Sequence, residues 1–91
     1  MAVPAEPEAA DAGGGQLLGR LRSRLPGLSG ALRQVAEVIL EDPEWASRAT
    51  IVELAERSGT SSATVTRFCR TIGVGGYTEL RVGIATDLGR A

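Results

Sequence analysis

The 91-residue sequence contains no histidine, no lysine, only one cysteine (Cys69) and only three aromatic residues, Trp45, Phe68 and Tyr77. With one cysteine and no histidine, the chain cannot form an intrachain disulfide, a zinc site of His and Cys ligands, or a catalytic scheme with a histidine base. Its glycine clusters also lack the strand–turn–helix context of a phosphate-binding loop. We therefore predict that the protein is not an enzyme and has no metal and no cofactor.

Long apolar runs are absent too. No segment has the length and hydropathy of a membrane span, and the N-terminus lacks the basic and apolar regions of a signal peptide. Cys69 follows Phe68 on an apolar helix face, which favours a small buried side chain over an exposed nucleophile. These features predict a soluble, cytoplasmic protein that does not bind a membrane.

The charged residues divide the chain into two parts. Residues 1–15 consist of Ala, Pro, Gly and acidic residues with little to bury, which predicts a disordered leader. Residues 16–91 form one predicted domain with ten arginines and eight acidic residues, so this domain has a net charge of +2 although the whole chain has −1. The predicted domain is therefore basic, although the net charge of the whole sequence is negative.

Apolar residues in the domain recur every three or four positions, and no segment alternates as a strand would. The fold class is predicted to be all-α, a small bundle of about five helices joined by short turns. The expected boundaries are Gln16 to Pro26-Gly27 for the first helix, Ser29 as N-cap to about Glu41 for the second, Asp42 and Pro43 at the start of a short helix, and about Thr78 for the last.

Two consecutive segments in the middle of the domain have the features of a helix-turn-helix. Thr50 and Glu53 form a capping box for a brief helix that Gly59 ends, and Ser61 caps a helix that runs to about Ile72 before Gly73. The motif needs a small residue where its helices cross, a glycine at the turn and apolar residues facing inward. The predicted core of the motif is Leu54, Ala55, Gly59, Val65 and Phe68.

The second helix of this motif, about residues 62–72, is predicted to be the recognition helix. Helical spacing places Val65, Phe68, Cys69 and Ile72 inward and Ser62, Ala63, Thr66, Arg67 and Arg70 outward. No acidic residue occurs between Glu56 and Glu79. Arginine can bind guanine with two hydrogen bonds, and hydroxyl groups bind bases or phosphates. This pattern predicts a helix that lies in the major groove of double-stranded DNA.

The segments AEVILEDP, IVELAERSGTSSATVTRFCRTIG and GGYTELR resemble the N-terminal DNA-binding domain of the RpiR (MurR/RpiR) family of bacterial transcriptional regulators, over about residues 17–88. The resemblance implies a homeodomain-like helical bundle that binds operator DNA as a homodimer. It also implies a phosphosugar effector, which acts through a C-terminal sugar-isomerase-type domain absent from these 91 residues. The DNA-binding residues that the resemblance implies are Ser61, Ser62, Thr64, Thr66, Arg67, Arg70, Tyr77, Thr78 and Arg81.

An alternative function is a helical protein-interaction or dimerisation module that does not bind DNA. Leu17, Leu21, Leu25 and Leu28 could form an exposed apolar seam for such a contact, although such leucines more often face a core. DNA binding at moderate salt separates the two hypotheses.

Overall fold

The computed structural model describes residues 16–90, which form six α-helices and no strand. The helices are α1 (Gln16–Arg24), α2 (Gly30–Glu41), α3 (Pro43–Ala46), α4 (Ile51–Arg57), α5 (Ser62–Ile72) and α6 (Tyr77–Arg90), with a 3-10 turn at Leu25–Gly27. The predicted all-α bundle is confirmed, with one helix more than the five or so expected. The predicted disordered leader, residues 1–15, lies outside the described residues. None of the described helices has the length and hydropathy to cross a membrane.

Most helix ends form at the residues that the sequence indicates. The Asp42 carboxylate accepts a hydrogen bond from the amide of Trp45 at 3.2 Å, and Thr50 and Glu53 form the complete predicted capping box. Ser29 differs: it precedes α2 as expected, but its side chain caps no amide. Gly30 follows it with a positive φ of 58°, so the chain enters α2 along a direction that does not bring an amide to the Ser29 hydroxyl.

The core lies between the long helices and consists mainly of leucine, isoleucine, valine and alanine side chains around Phe68. The predicted inward stripe of α5 is confirmed, because Val65, Phe68, Cys69 and Ile72 are at most 1% exposed. The exposed leucine seam of the alternative hypothesis is wrong. Leu17, Leu21 and Leu28 are buried and Leu25 packs against the core, because α1 turns its apolar face toward α5 and α6.

The first and last helices are joined by a buried carboxylate. Asp87 of α6 is only 6% exposed. Its Oδ2 accepts hydrogen bonds from the amides of Leu17 at 2.8 Å and Leu18 at 2.9 Å. These amides lie in the first turn of α1, where a helix offers them no partner of its own and where negative charge is favourable. Gly83 lets the two helices approach, since a Cβ there would lie 2.7 Å from Cδ2 of Leu17. Asp87 thus caps α1 from the far end of the chain.

Burial of Cys69 leads to a test in solution. The side chain is fully buried, and desolvation raises the pKa of its thiol above the ordinary 9.0. We expect the native protein to resist alkylation by iodoacetamide near neutral pH and to react fully in urea. Because the unfolded thiol loses its proton first, its contribution to stability is complete below about pH 9 and is lost as the pH rises through the folded-state pKa.

Mass spectrometry after a short iodoacetamide pulse, with and without urea, measures the first effect, and urea midpoints between pH 7 and pH 11 measure the second. Burial also raises the pKa of Tyr77, so the alkaline loss has two sources. A Cys69→Ala variant isolates the thiol: its alkaline loss should be smaller than that of the native chain. Rapid labelling of the folded protein would contradict the buried position of Cys69.

Candidate nucleic-acid interface

The turn between α4 and α5 has the geometry of a helix-turn-helix. Gly59 takes a φ of 70°, in the left-handed region that glycine adopts without a Cβ clash. The amide of Thr60 then donates back to the carbonyl of Ala55 at 2.8 Å, and the buried Ser58 hydroxyl donates to the carbonyl of Leu54 at 2.7 Å. These bonds occupy carbonyls that the end of α4 would leave without partners. The turn is therefore fixed by the chain's own hydrogen bonds.

The predicted core of the motif is buried. Leu54 and Ala55 of α4 are 1% and 4% exposed, and Val65 and Phe68 of α5 are fully buried. The helices α4 and α5 are in direct contact, Ala55 adds only a methyl group between them, and Phe68 lies in the same buried cluster. This packing fixes the angle between the helices and so determines which face of α5 points outward.

The N-terminus of α5 is capped as the sequence predicts. The Ser61 hydroxyl oxygen accepts a hydrogen bond from the amide of Thr64 at 3.2 Å and lies 3.1 Å from the Thr64 hydroxyl oxygen. Ser61 is exposed, whereas Ser62 and Thr64 are half-buried. The first turn therefore presents hydroxyl groups beside the positive end of a helix of eleven residues, where anions are stabilised.

Thr66, Arg67 and Arg70 share the exposed face of α5. Within residues 16–90, none of these three side chains has a hydrogen bond or an ion pair with another residue. Both guanidinium groups thus keep all their donors for a partner outside the domain. This face, defined by Ser61, Thr66, Arg67 and Arg70, is called the α5 face below.

The opposite end of α5 is held by α1. The Arg20 guanidinium donates to the carbonyl of Ile72 and the Arg24 guanidinium to the carbonyl of Thr71, each at 2.9 Å. This role could not be predicted from the sequence, because arginines on an exposed helix face give no sign of a partner about fifty residues away.

Three arginines that precede Glu37 in the sequence have partners within the domain. Arg20 and Arg24 bind the end of α5, and Arg33 forms an ion pair with Glu37 at 2.9 Å. Arg57, at the end of α4, lies over the Trp45 ring at 4.3 Å from its centroid. Arg67 and Arg70 have no such partner within residues 16–90 and lie together on the α5 face.

Three predicted DNA-binding residues lie on α6, apart from the α5 face. Thr78 is exposed, and the Tyr77 hydroxyl donates to the carbonyl of Ala49 at 2.7 Å. Arg81 approaches the same carbonyl with Nη1 at 3.5 Å, and its Nε is buried without a partner in residues 16–90. Tyr77 and Arg81 thus support the residue before the N-cap of α4. Their contact with phosphate stays a prediction, as does that of Thr78.

No group of His, Cys, Asp and Glu side chains in the described part of the chain is arranged to hold a metal ion. The arrangement on α5 has different chemistry: hydroxyl groups at a helix N-terminus, followed along one face by two unpaired guanidinium groups. Such a surface binds phosphate and base edges rather than cations.

Comparison with known proteins gives one consistent relationship. Residues 15–91 match the family model described as a helix-turn-helix domain of the rpiR family. The HTH-type transcriptional regulator HexR of Pseudomonas aeruginosa is 47% identical over 72 residues, which cover 79% of this chain and 25% of HexR. The chain thus spans about a quarter of the length of the HexR regulators it matches.

Two solved structures share the fold. The Vibrio vulnificus NanR protein, solved in complex with ManNAc-6P, superposes with a TM-score of 0.78 and is 44% identical over 81% of this chain and 28% of its own. The N-terminal domain of ybbH from Bacillus subtilis superposes with a TM-score of 0.77 and is 30% identical over 79% of this chain and 88% of its own.

Proposed function

Because the chain belongs to the rpiR family and is the DNA-binding domain of an rpiR-type transcriptional regulator, we propose that α5 enters the major groove of operator DNA and reads base edges there. The observation that carries this proposal is the α5 face: Arg67 and Arg70 are exposed and have no partner within residues 16–90. Thr66 lies beside them, within reach of a base or a phosphate.

The remaining predicted residues would bind the DNA backbone. Ser61, Ser62 and Thr64 lie at the N-terminus of α5, where hydroxyl groups and free amides suit a phosphate. Thr78, Tyr77 and Arg81 would contact phosphate from α6, with Arg81 using donors that Ala49 leaves free. Backbone contacts of this kind fix the register of the protein on DNA but carry no sequence information.

We further propose that two chains bind one operator as a homodimer, with their α5 helices in major grooves one helical turn apart. The protein would act in the cytoplasm, where chromosomal DNA is accessible. The NanR structure contains ManNAc-6P. We propose that a phosphosugar also controls this protein, through a region that corresponds to the part of the relatives that these 91 residues do not span.

Substitution of the two arginines on α5 tests the proposal. We expect Arg67→Ala and Arg70→Ala each to weaken binding to a selected operator by about 1–3 kcal/mol where the side chain reads a base, and to relax specificity at that base pair. The operator is first selected from random duplexes with the native chain, and affinities are then measured by fluorescence anisotropy at two salt concentrations.

Arg33→Ala is the matched control, since Arg33 is also exposed and its charge is balanced by Glu37. Its operator affinity should stay close to that of the native chain. Unchanged affinity in both α5 variants would contradict the proposed interface. A folded native chain that binds no duplex even at low salt would contradict the proposed function as a whole and favour the protein-interaction module.

A further inference from the structure

The C-terminal end of α5 has its four last carbonyls satisfied from two sources. The amides of Gly73 and Val74 donate to the carbonyls of Arg70 and Cys69 at 3.1 and 3.0 Å, as the left-handed Gly73 allows. Arg20 and Arg24 of α1 donate to the two carbonyls that remain, those of Ile72 and Thr71. Every carbonyl that the helix end leaves without a partner is thus bound, half of them by a different helix.

We propose that Arg20 and Arg24 are positioning residues, which hold the recognition helix at the orientation that gives sequence specificity and do not themselves contact DNA. This inference rests on the proposed function of α5. Guanidinium groups at the negative end of a helix dipole are favourable in charge as well as in hydrogen bonding. They also reach the helix from an element outside the helix-turn-helix, so they oppose a change in its tilt.

The length of α5 explains why restraint at its C-terminal end affects the position of its N-terminal first turn. Eleven residues make a helix about 16 Å long, so a tilt of about 10° around the C-terminal end displaces the first turn by about 3 Å, the length of a hydrogen bond. A displacement of this size separates a side chain from a base edge but leaves diffuse attraction to phosphate nearly unchanged.

Asp87 adds to this restraint from the other end of α1. It binds the amides of Leu17 and Leu18, while Arg20 and Arg24 follow one and two turns later and bind α5. The helix α1 is therefore attached to α6 at its start and to α5 along its second half. Because α1 is itself attached at both points, a carbonyl of α5 that is bound to it has less freedom of movement than a carbonyl bound to water.

The test compares Arg20→Met, Arg24→Met and the double variant with Arg22→Met. Methionine retains an unbranched stem like that of arginine but lacks the guanidinium charge and its hydrogen-bond donors. Arg22 lies on the same helix, is exposed, and has no hydrogen bond to α5 in the described structure. Each single variant thus loses the same charge as the control, and only the bonds to α5 differ.

Amide exchange comes first and requires no DNA. We expect faster exchange in the last turn of α5 and at Gly73 and Val74 in the Arg20 and Arg24 variants, and native rates in Arg22→Met. Circular dichroism and thermal unfolding establish that each variant is folded. Both arginines are exposed, but the hydrogen bond of Arg24 is exposed whereas that of Arg20 is partly buried, so Arg24→Met provides a folded case even if Arg20→Met does not.

Binding to a selected operator and to a random duplex is then measured at several salt concentrations. In the double variant, we expect the ratio of operator to random affinity to fall about tenfold, the effect of one mismatched base pair, while the salt dependence stays that of the native chain. A direct phosphate contact would instead lower the salt slope by about 0.9 for each arginine removed and weaken both duplexes alike.

That second pattern would overturn the proposal, and so would an unchanged affinity ratio in variants with faster exchange in α5. Native exchange rates in α5 would overturn it before any DNA is added. Failure of the native chain to bind any duplex is a separate result, because it contradicts the proposed function and not only the role of α1.

Discussion

Replacing Phe68 with alanine should lower the free energy of unfolding by about 3–5 kcal/mol, enough to leave much of the protein unfolded at room temperature. The ring is fully buried and is the largest fully buried side chain in the described part of the chain. Removing it opens a cavity in the core cluster that the long helices share, which they can fill only in part by shifting. A domain of this size has only a few kcal/mol of net stability to lose.

Urea unfolding followed by the fluorescence of Trp45, the only tryptophan, measures this loss. Val52→Ala is the control, because Val52 is 53% exposed and its truncation should change stability by less than about 0.5 kcal/mol. Phe68→Leu keeps most of the volume and should cost markedly less than alanine. Equal midpoints for native and Phe68→Ala would show that the ring does not fill the core.

Replacing Asp87 with alanine should cost on the order of 3 kcal/mol, the second-largest effect that we expect. The carboxylate accepts two amide hydrogen bonds, and bonds to charged groups contribute about 1.5–3 kcal/mol each when they are buried. Alanine leaves the amides of Leu17 and Leu18 without an acceptor in a buried position. Asp87→Asn retains one carbonyl oxygen and should cost only about 1 kcal/mol.

The loss should be localised before it becomes global. Native-state hydrogen exchange of the Asp87→Ala variant should show α1 losing protection at denaturant concentrations where α5 remains protected. Glu56→Ala serves as the control, since Glu56 is exposed and its truncation should change stability by less than about 0.5 kcal/mol. Uniform loss of protection across all helices would mean that α1 does not open as a separate unit, contrary to this expectation.

The helix-turn-helix could be predicted from the sequence because its determinants are local. The capping box at Thr50, the turn at Gly59 and the cap at Ser61 each depend on hydrogen bonds between residues three to five positions apart. The inward stripe of α5 follows from helical spacing. Each rule involves neighbours that the sequence itself places together. The outward orientation of Arg67 and Arg70 follows from the same periodicity.

The contacts that hold α1 could not be predicted in this way. Asp87 binds the amides of Leu17 and Leu18, which precede it by 70 and 69 positions. Arg20 and Arg24 bind carbonyls that follow them by 52 and 47 positions. Only Asp87 leaves a signal: it lies three residues after Ile84 on the buried stripe of α6, where a carboxylate needs a partner. The hydrogen bond from the Tyr77 hydroxyl to the carbonyl of Ala49 spans 28 positions and leaves no signal in the sequence either.

The bond between Asp87 and the start of α1 also sets an order of events during synthesis. A ribosome releases α1 first, but the carboxylate that caps this helix is 70 residues behind Leu17 and still inside the exit tunnel when α2 to α5 have emerged. The apolar side of α1 is therefore translated long before α6 can cover it. The nascent chain completes this domain only when its last helix arrives, and until then Leu17, Leu18 and Leu21 are available to chaperones.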